Sequence, residues 1–136
     1  MKHAKKLIAL VLCLVLTLGL GLGVCADFGE IVYPKPRWSY VSYVSGGVNT
    51  SEMSGSIALT EATKYATINI TLQKYNGGWK DTNITISDAG YRLASTSTPV
   101  SLSAGLYRAK IVFRVYTSQG GAYVEGDTVY STECLL

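Results

Sequence analysis

The sequence predicts an all-β domain, an antiparallel sandwich of about seven strands. Three observations carry that expectation. Past residue 26 the chain is dense in Tyr, Thr, Val and Ile, residue types that suit a pleated, half-buried surface. Apolar and polar residues alternate with a period of two in several segments, and no stretch sustains the longer apolar period of a helix. Turn residues break the chain every ~8–12 positions, the spacing of short antiparallel strands. A small β-barrel fits the same patterns and stands as the alternative.

The chain opens differently. Met1 to Lys6 is basic, Leu7 to Leu22 is an apolar run, and Val24-Cys25-Ala26 precedes Asp27. That is the plan of a secretory signal peptide over residues 1–26, cut before Asp27. An uncleaved anchor is the first alternative, but the run is at the short limit for a span of ~20 residues and no basic flank follows it. Lipidation at Cys25 is the second, although Val24 stands where a lipoprotein signal wants Gly, Ala or Ser. Residues 27–35 then read as an extended segment and 36–136 as one domain, because ~110 residues bury one core.

Taken in order, the first strand is expected from Trp38 to Val44, after Pro34 and Pro36 hold its approach extended. The second runs from Gly55 to Thr60. The third is the clearest: Ile68, Ile70 and Leu72 alternate with Thr67, Asn69, Thr71 and Gln73. Asn76-Gly77-Gly78 marks a tight hairpin into a strand from Trp79 to Ser87, which places Trp79 across from Tyr75. Asp88-Ala89-Gly90 and Ser97-Thr98-Pro99 read as breaks, with short strands at Tyr91 to Ala94 and Val100 to Leu102. A long central strand follows, in which Tyr107, Ala109, Ile111, Phe113 and Val115 alternate with Arg108, Lys110, Val112, Arg114 and Tyr116. Gln119-Gly120-Gly121 turns the chain into a last strand from Gly121 to Ser131.

Leu102-Ser103-Ala104-Gly105-Leu106-Tyr107 places a Leu and a Gly turn before a Tyr that enters the long strand. This resembles the tyrosine corner of immunoglobulin-like and fibronectin type III sandwiches. The resemblance implies that the Tyr107 hydroxyl bonds back to upstream backbone. The inter-sheet disulfide of immunoglobulins has no counterpart here. A broader resemblance rests on Pro36-Arg37-Trp38, on Leu72-Gln73-Lys74-Tyr75-Asn76-Gly77-Gly78-Trp79-Lys80, and on Gly105-Leu106-Tyr107-Arg108. These segments look like those of small, uncharacterised secreted proteins from Gram-positive, Firmicute-type bacteria. It implies a secreted bacterial immunoglobulin-like β-sandwich and little about activity.

Composition narrows the function. The formal charge of +3 belongs to the leader, which holds Lys2, Lys5, Lys6 and no acid. The remaining 110 residues carry nine basic and nine acidic groups and no His. A neutral domain lacks the basic excess that nucleic acid requires. Without His, a His-assisted Ser or Cys nucleophile is excluded. Paired carboxylates remain, with Glu125 and Asp127 on one face of one strand, but most acids fall at turns or strand ends. No cofactor, no metal and no catalytic residue is expected. The spacing of an EF-hand is absent, and calcium at Asp81 with Asp88, or Glu125 with Asp127, is not demanded. Cys134, left without a partner by removal of the leader, suggests an inert tail thiol or a Cys134-linked dimer.

The expectation is therefore a secreted, non-catalytic binding or adhesion module for an unknown protein or glycan, free of the membrane after cleavage. A structural, self-associating protein is the alternative, and a carboxylate hydrolase comes third. Arg108, Lys110 and Arg114 share one face of the long strand, which should pair with the strand carrying Asn69 and Gln73. Asn69, Gln73, Arg108, Lys110 and Arg114 are the expected contact residues, with Trp79 as a stacking platform. Packing in the core or hairpin is the default expectation for both Trp38 and Trp79, and an exposed platform for sugar is the alternative.

Overall fold

The structure, a computed structural model, describes residues 38–136. The leader over residues 1–26 and the extended segment over residues 27–35 lie outside the described residues. Eight strands follow in order: β1 Val41–Val48, β2 Glu52–Leu59, β3 Tyr65–Tyr75, β4 Trp79–Tyr91, β5 Leu93–Pro99, β6 Leu106–Tyr116, β7 Tyr123–Tyr130 and β8 Cys134–Leu135. They form two antiparallel sheets, one ordered β1-β2-β5 and the other β4-β3-β6-β7, with β8 beside the start of β6. This is an antiparallel immunoglobulin-like sandwich with a two-residue eighth strand. The two sheets stay separate, so the β-barrel alternative does not hold.

The alternation that marked β3 and β6 sets the core. Ile68, Ile70 and Leu72 point inward with Ala109, Ile111, Phe113 and Val115, and all seven are buried. Val44, Val48, Met53 and Ile57 face them from the smaller sheet. Two paired glycines bring the sheets close. Gly46 opposes Gly55 across β1 and β2. A Cβ at Gly46 would lie 2.7 Å from Ile111 Cδ1 and 2.8 Å from the Ser54 carbonyl oxygen, so a side chain there would overpack the core.

The chain changes sheets between β4 and β5, and here the expected breaks differ from the structure. Asp88-Ala89-Gly90 lies inside β4, and Ser97-Thr98-Pro99 lies inside β5. The crossing falls instead at Arg92, in the left-handed region with φ 63°. The adjacent turn holds it there: Arg92 donates its N–H to the Lys64 carbonyl, and its own carbonyl accepts the Leu59 N–H at 2.7 Å. Both strands are sheet edges, where turn-type residues and a proline are tolerated because one side of the backbone needs no ladder partner. No strand forms from Val100 to Leu102.

Inward-pointing acids close both open sides of the sandwich. On one side, Asp88 of β4 accepts the Ser95 N–H of β5 at 3.0 Å. On the other, Glu125 of β7 accepts the Ser39 and Tyr40 N–H groups, each at 2.8 Å, and Asp127 accepts the Trp38 indole N–H at 3.2 Å. The indole also stands edge-on against Phe113, with ring centroids 5.1 Å apart. Trp38 therefore packs. Glu125 and Asp127, adjacent as the sequence suggested, bind the chain leading into β1.

Cys134 departs from expectation. It is 2 % exposed in β8 and disulfide-bonded, with its partner outside the described residues. The sequence alone left Cys134 as a tail thiol, whereas in the full chain its sulfur is bonded and its side chain is buried. No local pattern in the sequence signals the burial of β8.

Candidate functional site

The outer face of the larger sheet carries the residues of interest, and antiparallel register arranges them in rows. Gln73 lies opposite Arg108 on β6 and Asp81 on β4. The hairpin through Asn76-Gly77-Gly78, with Gly77 at φ 66°, returns Trp79 beside Tyr75 at a ring separation of 5.4 Å. The Arg108 guanidinium then lies between two rings, 4.2 Å from the Trp79 centroid and 4.0 Å from that of Tyr130. Its Nε donates to Gln73 Oε1 at 2.8 Å, and Gln73 Nε2 donates to Asp81 Oδ1 at 2.8 Å. Lys110 completes the chain with an ion pair to Asp81 at 2.9 Å. The hydrogen bonds from Lys110 and Gln73 hold the Asp81 carboxyl below its ordinary value of 3.8, against a weaker opposing effect of burial.

Four of the expected contact residues, Gln73, Trp79, Arg108 and Lys110, thus meet in one network. Its chemistry is largely internal. Gln73 is 6 % exposed, with both ends of its amide engaged. Arg108 is stacked on both faces, and Lys110 is paired. Two of the three segments that carry the resemblance, around Gln73 to Trp79 and at Arg108, meet here as a structural clasp. Tyr107, next along β6, is buried and donates its hydroxyl hydrogen to the Ser103 carbonyl at 3.0 Å, the bond that a tyrosine corner makes.

Asn69 and Arg114 lie elsewhere on the same face. They line a groove of about 520 Å³ with Thr67, Ser87, Ala89, Val112 and Tyr116. Its floor consists of two low rows. In one, Thr67 stands between Ala89 and Arg114, with Gly126 beyond; in the other, Asn69 stands between Ser87 and Val112, with Thr128 beyond. Among the described residues, the side chains of Thr67, Asn69, Ser87 and Arg114 have no hydrogen-bond or ion-pair partner.

A row of tyrosines bounds this floor. Tyr65 lies opposite Tyr91 on one side and Tyr116 on the other, and Tyr116 lies opposite Tyr123. The rings meet edge to face, Tyr65 with Tyr91 at 5.1 Å and Tyr116 with Tyr123 at 6.1 Å. The Gln119 N–H of the β6–β7 turn bonds to the Tyr91 hydroxyl at 3.0 Å, which ties that turn to the row. On the other side, the row of Thr85, Thr71 and Lys110 separates this floor from the clasp at Arg108. The result is a groove that crosses three strands, β4, β3 and β6, about 10 Å at ~4.8 Å per strand spacing.

Sequence reasoning missed the tyrosine row. Its signal was present: β3 and β7 begin with Tyr, and β4 and β6 end with it. In antiparallel neighbours those ends coincide, but only the register reveals that all four rings share one row and one face.

No protein-family model matches the chain, and no curated protein matches it. Among solved structures, the chain is similar to the chicken interferon gamma receptor alpha chain, at 11 % identity over 65 % of this chain, with a TM-score of 0.34. It spans about half, 48 %, of that receptor chain. A second likeness, to Bacteroides uniformis beta-glucuronidase, has 18 % identity over 64 % of this chain and 12 % of that one, with a TM-score of 0.28. Neither likeness is close enough to carry a functional argument. The sandwich class rests on strand order, pairing and the tyrosine corner.

Proposed function

We propose that this protein is a secreted, non-catalytic binding module that holds a glycan chain in the groove across its larger sheet. The observation that carries this reading is the composition of the groove: unbonded hydroxyl and amide groups on the floor and a row of tyrosine rings along one side. Hydroxyl-rich ligands exchange hydrogen bonds with such a floor, and the C–H faces of sugar rings pack on aromatic side chains. A protein partner would favour a more apolar centre. Export rests on the leader, and a Gram-positive source on the resemblance given by the three sequence segments. The acids Glu125 and Asp127 are engaged by Ser39, Tyr40 and Trp38, which favours a binding role over carboxylate catalysis.

A glycan array probed with the exported protein tests the reading. Hits are expected, and Asn69→Ala with Tyr116→Ala should weaken them about tenfold or more, since two ligand contacts of ~1 kcal/mol or more are removed. Folded protein without hits, or hits unchanged by both substitutions, would count against it. Arg108→Ala is the wrong probe, because Arg108 holds the clasp together.

A further inference from the structure

Resting on that reading of the groove, we propose that its ligand is an anionic glycan, whose acidic group pairs with Arg114. Three cations project from the outer face of β6, and two are already satisfied: Arg108 by the rings of Trp79 and Tyr130, Lys110 by Asp81. Arg114 is exposed and has no ion pair among the described residues. Its cross-strand neighbours are Thr67 and Gly126, neither of them an acid. Asp88 also borders the groove, but its carboxylate accepts the Ser95 N–H of β5. Arg114 is therefore the cation on the floor of the groove and has no ion pair among the described residues, set between uncharged hydrogen-bonding groups and a tyrosine ring, while Asp88 at the border keeps its negative charge with its carboxylate held by β5.

A guanidinium presents a planar fork of N–H donors that matches an oxyanion in two-pronged geometry. A carboxylate on a uronic acid unit and a sulfate ester on a sugar unit both supply that oxyanion. Asn69 and Ser87 would contact hydroxyls of the same chain. A neutral glycan would leave the Arg114 charge unanswered, and a nucleic acid would need the basic excess that this domain lacks.

The test compares polymers that share a backbone and differ in charge. Binding of the exported protein is measured for polygalacturonate against its methyl ester, and for dextran sulfate against dextran. We expect at least one charged member to bind about tenfold or more tighter than its neutral counterpart, with affinity falling as salt rises. Which pair responds distinguishes carboxylate from sulfate. Arg114→Gln should remove the preference, Arg114→Lys should restore part of it, and Lys80→Gln, exposed on β4, should leave it intact. Neutral polymers held as tightly, with Arg114→Gln without effect, would overturn the anionic ligand while leaving the glycan site standing. Equal losses in Lys80→Gln and Arg114→Gln would overturn it as diffuse charge attraction, and failure to bind either charged polymer would also overturn it.

Discussion

Arg108 shows how one side chain can look like a ligand contact in sequence and serve as a strut in the fold. Its guanidinium fills the space between Trp79 and Tyr130 and satisfies the buried amide of Gln73. Removing it leaves Gln73 Oε1 without its partner and separates two rings. Arg108→Ala is therefore expected to destabilise the domain by about 1–3 kcal/mol, and Arg108→Lys by less, read from denaturant midpoints at constant slope. At the other end of the same network, Asp81 reports the ion pair directly. Its folded carboxyl releases its proton more readily than an unfolded one, so the pair favours the folded state above 3.8 and loses that contribution as pH falls through the lower folded value. Half of the Asp81 side chain is solvent-exposed, so the effect on stability is small. A carboxyl titration by NMR should give a midpoint below 3.8 for Asp81, moving up toward that value in Lys110→Met.

At the scale of elements, the edge strands explain most differences between expectation and fold. The alternation of β3 and β6 was legible because both are central and half-buried, so each apolar residue had one available face. β4 and β5 were misjudged at their boundaries because edges tolerate Asp, Gly and Pro that would break a central strand. Asp88 and Gly90 looked like turn residues. In the structure Asp88 covers a free N–H of β5, and a Cβ at Gly90 would sit 2.6 Å from the Leu93 carbonyl oxygen. The same device works on β7. Glu125→Gln should weaken the hold on the Ser39 and Tyr40 amides, raising their hydrogen-exchange rates and costing about 1–2 kcal/mol, while amides in the middle of β3 keep their protection.

For the whole molecule, covered edges argue against assembly by strand addition. β4 carries an irregular register opposite Thr71 and Gln73, which bends its free edge, and acids from the larger sheet occupy both flanks of the sandwich. Sedimentation of the purified protein over a hundredfold range of concentration (about 1–100 μM, chosen to bracket weak dimers) should return a single monomeric mass. A concentration-dependent mass would instead favour the self-associating alternative. The sequence by itself determined the class of fold, the two central strands and the hairpin at Asn76-Gly77-Gly78, because each depends on local alternation or turn chemistry, and the resemblance to a tyrosine corner supplied the role of Tyr107. It also placed Asn69 and Arg114 on one outer face. Tertiary structure alone decided that Gln73, Arg108 and Lys110 are engaged with one another, that Cys134 is buried, and that four tyrosines from four strands form one row. Those outcomes depend on register between segments distant in the chain, and a one-residue slip in any pairing would move each side chain to the opposite face.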